Sequence, residues 1–320
     1  MNKSKKGESF IDKLDAQFVV SSDAIEGAGE DGFCCSCTEN AALIGVFDGC
    51  GGLGARQYKR YQGHTGAYMA SRLASGAVYD WFQVRKREND FSDPLVDVKE
   101  RITGALSFGE KRGGETLKLR GSMVRDFPST AAIVLAEQKE GKIIIDAMWA
   151  GDSRVYLLDK DGLSQLSKDD TDSGDAFMDL RNDPVQTNVL SSDGNYVLHS
   201  KKVHIKGAIA VIAASDGYFG YWKTPMDFEY YLLDTLERSN SLSEWKEKLR
   251  TEIQEVTGDD STLAAMLFYF GAFNEVKKNY RARYELLKER YVLPLTDSYT
   301  EDKAKELWQD YRNCYERFIN

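Results

Sequence analysis

Short apolar runs rich in β-branched residues recur along the chain. They lie at Ala41–Phe47 (AALIGVF), Ala131–Leu135, Lys142–Met148, Val155–Leu158, Lys202–Ile205, Ile209–Ala214 and Thr262–Phe270. Runs of this length and composition predict strands. Between the first and second runs, His64–Phe82 and Leu95–Arg120 repeat apolar residues at three and four, which predicts two helices. Met226–Leu236 and Leu242–Ile253 predict a second helical pair. The order is strands, two helices, many strands, two helices, strand. That is not βαβ alternation, and it predicts an α+β fold with antiparallel sheets. Beyond Phe273 the pattern turns helical again, with Tyr280, Tyr284, Leu287 and Tyr291, then Leu307, Tyr311, Tyr315 and Phe318, at helical spacing. Ser298 and Thr300, followed by Glu301 and Asp302, supply a cap for the last helix.

Charge sharpens this picture. Lys277, Lys278, Arg281, Arg283, Lys288 and Arg290 face only Glu285 and Glu289 in the first C-terminal helix. Two readings follow: an amphipathic pair packed on the main body, or a docking element for an acidic partner. Across all 320 residues, 51 Asp+Glu against 42 Lys+Arg leave a net charge of −9, which argues against coating nucleic acid. The longest nearly apolar run, Leu263–Phe273, falls well short of the roughly 20 residues that cross a bilayer. The first residues carry positive charge with no apolar stretch behind them, unlike a secretory signal. A cytoplasmic protein with no membrane role is expected. Its five cysteines agree: an odd count with Cys34, Cys35 and Cys37 crowded together is a poor disulfide framework. Adjacent cysteines on a strand point to opposite faces and no second ligand pair follows, so zinc is not expected there.

Gly27, Gly29 and Gly32 match GxGxxG, and so do Gly49, Gly51 and Gly54. The second match follows a strand, but long helices come next instead of a strand ending in an acid, so a dinucleotide site is not expected. The stronger signal is a set of acids at strand edges. Asp48 ends LIGVFD, Asp216 ends IAVIAASD, Asp152 follows IIIDAMWAG, Asp259 precedes TLAAMLFYF, and Glu30 and Asp31 precede FCCSC. Asp161-Gly162 suits a hairpin turn. Asp48-Gly49 and Asp216-Gly217 lead into helices and do not. Gathered carboxylates with no adjacent Lys or Arg call for a hard divalent cation, Mg²⁺ or Mn²⁺.

DGCGG (Asp48–Gly52), Ser129-Thr130, GDSR (Gly151–Arg154), SDG (Ser215–Gly217) and DDST (Asp259–Thr262) resemble, in order and spacing, the motifs of the metal-dependent protein phosphatases of type 2C, bacterial-like members included. The resemblance spans about residues 15–272. It leaves 1–14 as a tail and 273–320 as a helical extension. It implies a four-layer α-β-β-α sandwich of two antiparallel sheets. It also implies hydrolysis of phosphoserine and phosphothreonine in proteins by a metal-bridging hydroxide. By that resemblance Asp48 bridges two Mg²⁺ or Mn²⁺ ions, the Gly49 carbonyl binds one of them, and Asp216 and Asp259 complete the first ion's protein ligands. Glu30 orients water on the second ion, and Asp152 corresponds to a third, weaker position. Asp48, Asp216 and Asp259 are therefore the expected catalytic residues. Thr130 and Arg154 resemble structural members of their motifs. Asp169 and Asp170 resemble a downstream acidic pair, or form a solvated turn. Residues 171–195 resemble a variable flap beside the site.

Three positions depart from the pattern. Cys50 stands where many members have a histidine, Glu26 where an arginine grips phosphate, and Asp260 where an asparagine follows the last ligand. Arg56, Lys59 and Arg60 are candidate replacement cations. The alternative these changes raise is a weakly active, phosphatase-like module that binds a phosphoprotein or signalling partner.

Overall fold

A computed structural model describes residues 9–114, 125–180 and 184–319. Its strands are β1 (Leu14–Ser22), β2 (Gly32–Cys37), β3 (Ala41–Phe47), β4 (Ala131–Lys139), β5 (Lys142–Ala150), β6 (Arg154–Asp159), β7 (Gly162–Gln165), β8 (His199–Ile205), β9 (Ile209–Ala214) and β10 (Ser261–Phe268). They form two five-stranded sheets, ordered β1-β10-β9-β6-β7 and β2-β3-β4-β5-β8. Every strand pairing among the described residues is antiparallel, which removes the dinucleotide-binding alternative. The sheets face each other across a dry layer. Ile44, Val46, Val134 and Ile145 come from one side, and Val155, Val211, Met266 and Phe268 from the other. Since β3 is covered on both faces, all seven of its residues are buried and its sequence is continuously apolar.

The helices are α1 (Phe10–Lys13), α2 (Gly51–Gly54), α3 (Gly66–Glu88), α4 (Pro94–Gly113), α5 (Ala176–Asp179), α6 (Asp216–Phe219), α7 (Pro225–Glu237), α8 (Leu242–Val256), α9 (Phe273–Leu287), α10 (Leu293–Asp297) and α11 (Glu301–Tyr315). α3 begins where the Thr65 hydroxyl accepts the Tyr68 N–H at 3.0 Å, and it ends at Asn89 with φ 52°. α3 and α4 lay Ala70, Ala74, Val78, Ile102 and Leu106 on Leu43, Ile133 and Leu135 of the second sheet. α7 and α8 lay Leu232, Leu236, Leu249 and Ile253 on Phe18, Leu263 and Ala265 of the first. The result is the α-β-β-α sandwich. The strands missing from the apolar-run reading are β1, β2 and β7, all of them sheet edges, and in β1 Asp15 and Gln17 interrupt the pattern. Residues 115–120 of the second expected helix lie outside the described residues.

The C-terminal helices share the α7–α8 core through Val276, Tyr280, Leu287, Trp308, Tyr311 and Tyr315. A buried ion pair holds them there. Arg283 donates two 2.8 Å bonds to Glu229, and the Tyr311 hydroxyl donates to the same carboxylate at 2.5 Å. Lys278 pairs with Glu275, Arg281 with Glu237 and Glu285, and Arg290 with Asp310. Four cations of the basic segment are thus spent on the chain's own carboxylates. No helix among the described residues is long and apolar enough to cross a membrane.

Candidate active site

Strand register decides which acids meet. Val46 pairs with Ala132 and Ala131 with Ala150, while Arg154 pairs with Ala214 and Ala214 with Leu263. Asp48 after β3, Asp152 between β5 and β6, Asp216 after β9 and Asp259 before β10 therefore emerge at one end of the sandwich. Gly32 opposite Phe47 brings Glu30 and Asp31 to the same end.

Backbone bonds fix the cluster. The Thr130 N–H and the Ser129 hydroxyl both donate to the Asp48 carbonyl at 2.8 Å, and the Asp48 N–H donates to the Thr130 hydroxyl at 3.1 Å. Thr130 and Ser153 share a hydroxyl bond of 2.6 Å, tying the end of β3 to the Gly151–Arg154 turn. Arg154 is buried, donates to Asp169 at 2.6 Å and to the Tyr315 hydroxyl at 3.2 Å, and lies 4.2 Å over the Phe219 ring. The Asp170 carboxylate accepts the Gly151 N–H at 3.0 Å and faces His199 at 2.9 Å. Asp169 and Asp170 are internal braces, which corrects the solvated-turn reading. Gly217 has a steric reason, because a Cβ there would collide with the Asp260 carbonyl oxygen. At Gly51 a Cβ would stand 2.5 Å from Glu30 Oε2.

The Asp48 carboxyl is within hydrogen-bond reach of both Asp31 and Asp216. Burial first, and neighbouring carboxylates second, push Asp216 up to about 6 and Asp31 and Asp152 up to about 7. The same causes raise Asp48 well above the usual carboxylate range. Burial also raises Glu30, whose carboxylate accepts a short bond from the Thr65 hydroxyl. Asp259 is the outlier of the set: it stands exposed at the rim, accepting the Asp260 N–H at 2.8 Å. Asp152, Asp216 and Asp259 line one cleft of 370 Å³. Among the described residues no group of three His, Cys, Asp or Glu side chains already stands in metal-ligating geometry. The buried Oδ1 atoms of Asp31 and Asp152 nevertheless find no hydrogen-bond partner there. Oxygen donors that repel one another, with two buried lone atoms, fit hard divalent cations.

Asp31 was noted in the sequence only as a neighbour of Glu30. Its buried carboxylate accepts the Ser215 hydroxyl at 2.8 Å, inside the cluster. Arg72 was missed altogether. It lies 3.5 Å over the Tyr68 ring, donates to the Gly29 carbonyl at 2.7 Å and draws Glu30 downward. Arg56 is already paired with Asp126 at 2.5 Å. Asp260 accepts the Ala24 N–H at 2.8 Å and the Glu30 N–H at 2.6 Å, so it anchors the loop carrying Glu30. The Cys50 thiol is pushed far up by burial and by Asp48, which keeps it protonated. Cys34, Cys35 and Cys37 are free.

The architecture matches that of three solved phosphatases. Stp1 from Staphylococcus aureus aligns with a TM-score of 0.56 and 15% identity over 79% of this chain and 94% of its own. The PPM Ser-Thr phosphatase MsPP from Mycobacterium smegmatis aligns at 0.54 and 12%, over 80% of this chain and 99% of its own. The chain has the PPM phosphatase fold. A third structure with the PPM fold, the catalytic domain of PstP with two manganese ions, aligns at 0.51 and 14%, over 79% of this chain and 98% of its own. No protein-family model and no curated protein sequence matches the chain.

Proposed function

We propose that the protein is a Mg²⁺- or Mn²⁺-dependent phosphatase of phosphoserine and phosphothreonine in proteins. The observation that supports this most is the meeting of Asp48, Asp31 and Asp216 carboxyls at one end of a PPM-fold sandwich. Asp48, Asp216 and Asp259 would hold one ion, Asp48 would also serve the second, on which Glu30 would orient water, the Gly49 carbonyl would bind one of the two, and Asp152 would serve a third position. Divalent ions, when bound, supply the positive charge that activates water and neutralises phosphate oxygens. The chain's own contribution is placement. Ser129 and Thr130 hold Asp48 through its backbone, and Asp260 and Thr65 hold Glu30 from two sides. Gln186 donates to Asp152 at 2.7 Å, linking residues of the flap to the cleft. Arg72, beside Glu30, is the cation placed to offset a phosphate's charge.

Phosphate release from p-nitrophenyl phosphate should require added Mn²⁺ or Mg²⁺ and fall by at least about 10² in Asp48→Ala or Asp216→Ala. Turnover of the purified protein in chelator would refute the reading. A phosphatase-like binding module is the second reading, favoured by the exposed anion Glu26 where phosphate would be gripped. Tight phosphopeptide binding with negligible hydrolysis at saturating Mn²⁺ would replace the first reading with the second.

A further inference from the structure

Beside the acidic cleft lies a larger cavity of 580 Å³, framed by Tyr221, Trp222, Tyr230, Tyr231 and Tyr299. It sits between the start of α7, the end of α8 and the α10 turn. Its size is that of a side-chain or small-ligand site. Two of the five rings have their polar ends engaged outside the cavity. Trp222 Nε1 donates to the Tyr218 carbonyl at 3.1 Å, the Tyr231 hydroxyl bonds the Leu249 carbonyl, and Trp222 stacks on Tyr231 at 4.6 Å. Three carboxylates, Asp227, Asp234 and Glu252, share the wall with one cation, Lys223. Arg238 holds Asp234 and Glu252. Asp227 accepts the Thr224 hydroxyl at 2.8 Å and pairs with no guanidinium among the described residues.

Three wall carboxylates against two cations, Lys223 and Arg238, leave an excess of negative charge, and aromatic faces beside it attract cations and repel anions. The chain supplies its own example: the Lys223 ammonium lies 5.4 Å from the centre of the Tyr299 ring. Lys223 and Tyr299 are both exposed, so an incoming cation can take this place while Lys223 swings into water. The cavity adjoins the acidic cleft. Tyr221 lines both, and Asp216 and Tyr221 belong to one short stretch that opens with α6.

We propose that this cavity is a substrate subsite that takes a basic side chain, arginine above all, flanking the phosphorylated residue of a protein substrate. The proposal rests on the phosphatase reading and names its substrate class: phosphosites with a nearby basic residue.

The test uses the full chain and a set of phosphothreonine peptides in which one arginine replaces alanine at each flanking position in turn. In the wild type, the best-placed arginine should lower KM about tenfold against the all-alanine peptide, with kcat little changed. That arginine-to-alanine ratio, taken within each variant so that general losses cancel, should fall to about one in Asp227→Asn and in Tyr299→Ala. In Lys223→Ala it should rise, because the competing ammonium is gone. A wild type that turns over p-nitrophenyl phosphate yet shows no arginine preference overturns the proposal. So does a preference that survives both cavity variants, or a ratio that falls in Lys223→Ala, which would mark an anion pocket. If p-nitrophenyl phosphate is not turned over, the phosphatase reading fails by itself. The cavity is then judged by fluorescence anisotropy of the same labelled peptides, with the same ratios expected in Kd.

Discussion

Raising the pH should destabilise the metal-free protein, and Mg²⁺ or Mn²⁺ should reverse the loss. Asp216 and Asp152 move from an ordinary 3.8 to about 6 and about 7 in the folded chain, by burial and mutual repulsion. Below pH 4 both are protonated, folded or unfolded, and they cost nothing. Between pH 4 and 7 the unfolded chain binds fewer protons than the folded one, so stability falls as pH rises; above pH 7 the full penalty stands. At about 1.4 kcal/mol per pKa unit, single-group ceilings are about 3 and about 4 kcal/mol. The two groups repel each other and open onto a cleft, so their costs overlap, and a net of about 3 kcal/mol is the working figure. For a chain of this length that is about 5 °C of melting temperature. Asp31, pushed up to about 7, and Asp169, pushed up to about 6, titrate in the same window with the same sign and deepen the fall, so the comparison with Asp48→Asn isolates the cluster's share. The assay is thermal unfolding in chelator from pH 5 to 8, repeated with Asp48→Asn and with millimolar Mg²⁺ at pH 8. The melting temperature should drop across the window in the wild type and drop less in the variant. The cation should restore it by mass action. A flat or rising profile in chelator, or an unchanged slope in Asp48→Asn, would refute the electrostatic account of the site.

Other perturbations test the supports. Glu229→Gln breaks a buried pair and should cost about 3–5 kcal/mol in denaturant unfolding; a cost below about 1 kcal/mol would mean that solvent reaches Arg283. Trp308→Ala, removing a fully buried indole that stacks on Phe177 at 6.1 Å, should cost about 3–5 kcal/mol by the same measurement. Cys50→Ser should keep phosphatase turnover within a few-fold, since burial and the neighbouring acids make the thiol a very weak proton donor; a hundredfold loss would assign it a proton transfer. Asp260→Asn leaves one oxygen for two backbone donors, so it should lose about 1–2 kcal/mol of stability and weaken metal binding by calorimetry.

Much of the architecture is legible because the inner strands are covered on both faces and read as unbroken apolar runs; Ala41–Phe47 and Ile209–Ala214 match β3 and β9 residue for residue. Strand-edge aspartates are legible for a related reason: after a dry run, a charge needs a use. Asp31 was passed over because its role depends on Ser215 and Asp48, both far away in sequence. Arg72 sits in an ordinary helical stretch, and only the packing of α3 against the Glu30 loop gives it meaning. Asp169 stayed open between an acidic pair and a solvated turn because its partner Arg154 lies fifteen residues away, on β6. The aromatic cavity had no linear signature, since its rings come from the α6–α7 stretch and from the turn near Tyr299.

Glu229 lies beneath the last two long helices, and its side-chain partners among the described residues, Arg283 and Tyr311, both belong to those helices. A protein trimmed at the end of β10 would leave that carboxylate in an apolar trough with nothing opposite. Lifting those helices away therefore carries the cost of baring a carboxylate that is fully buried when they are in place.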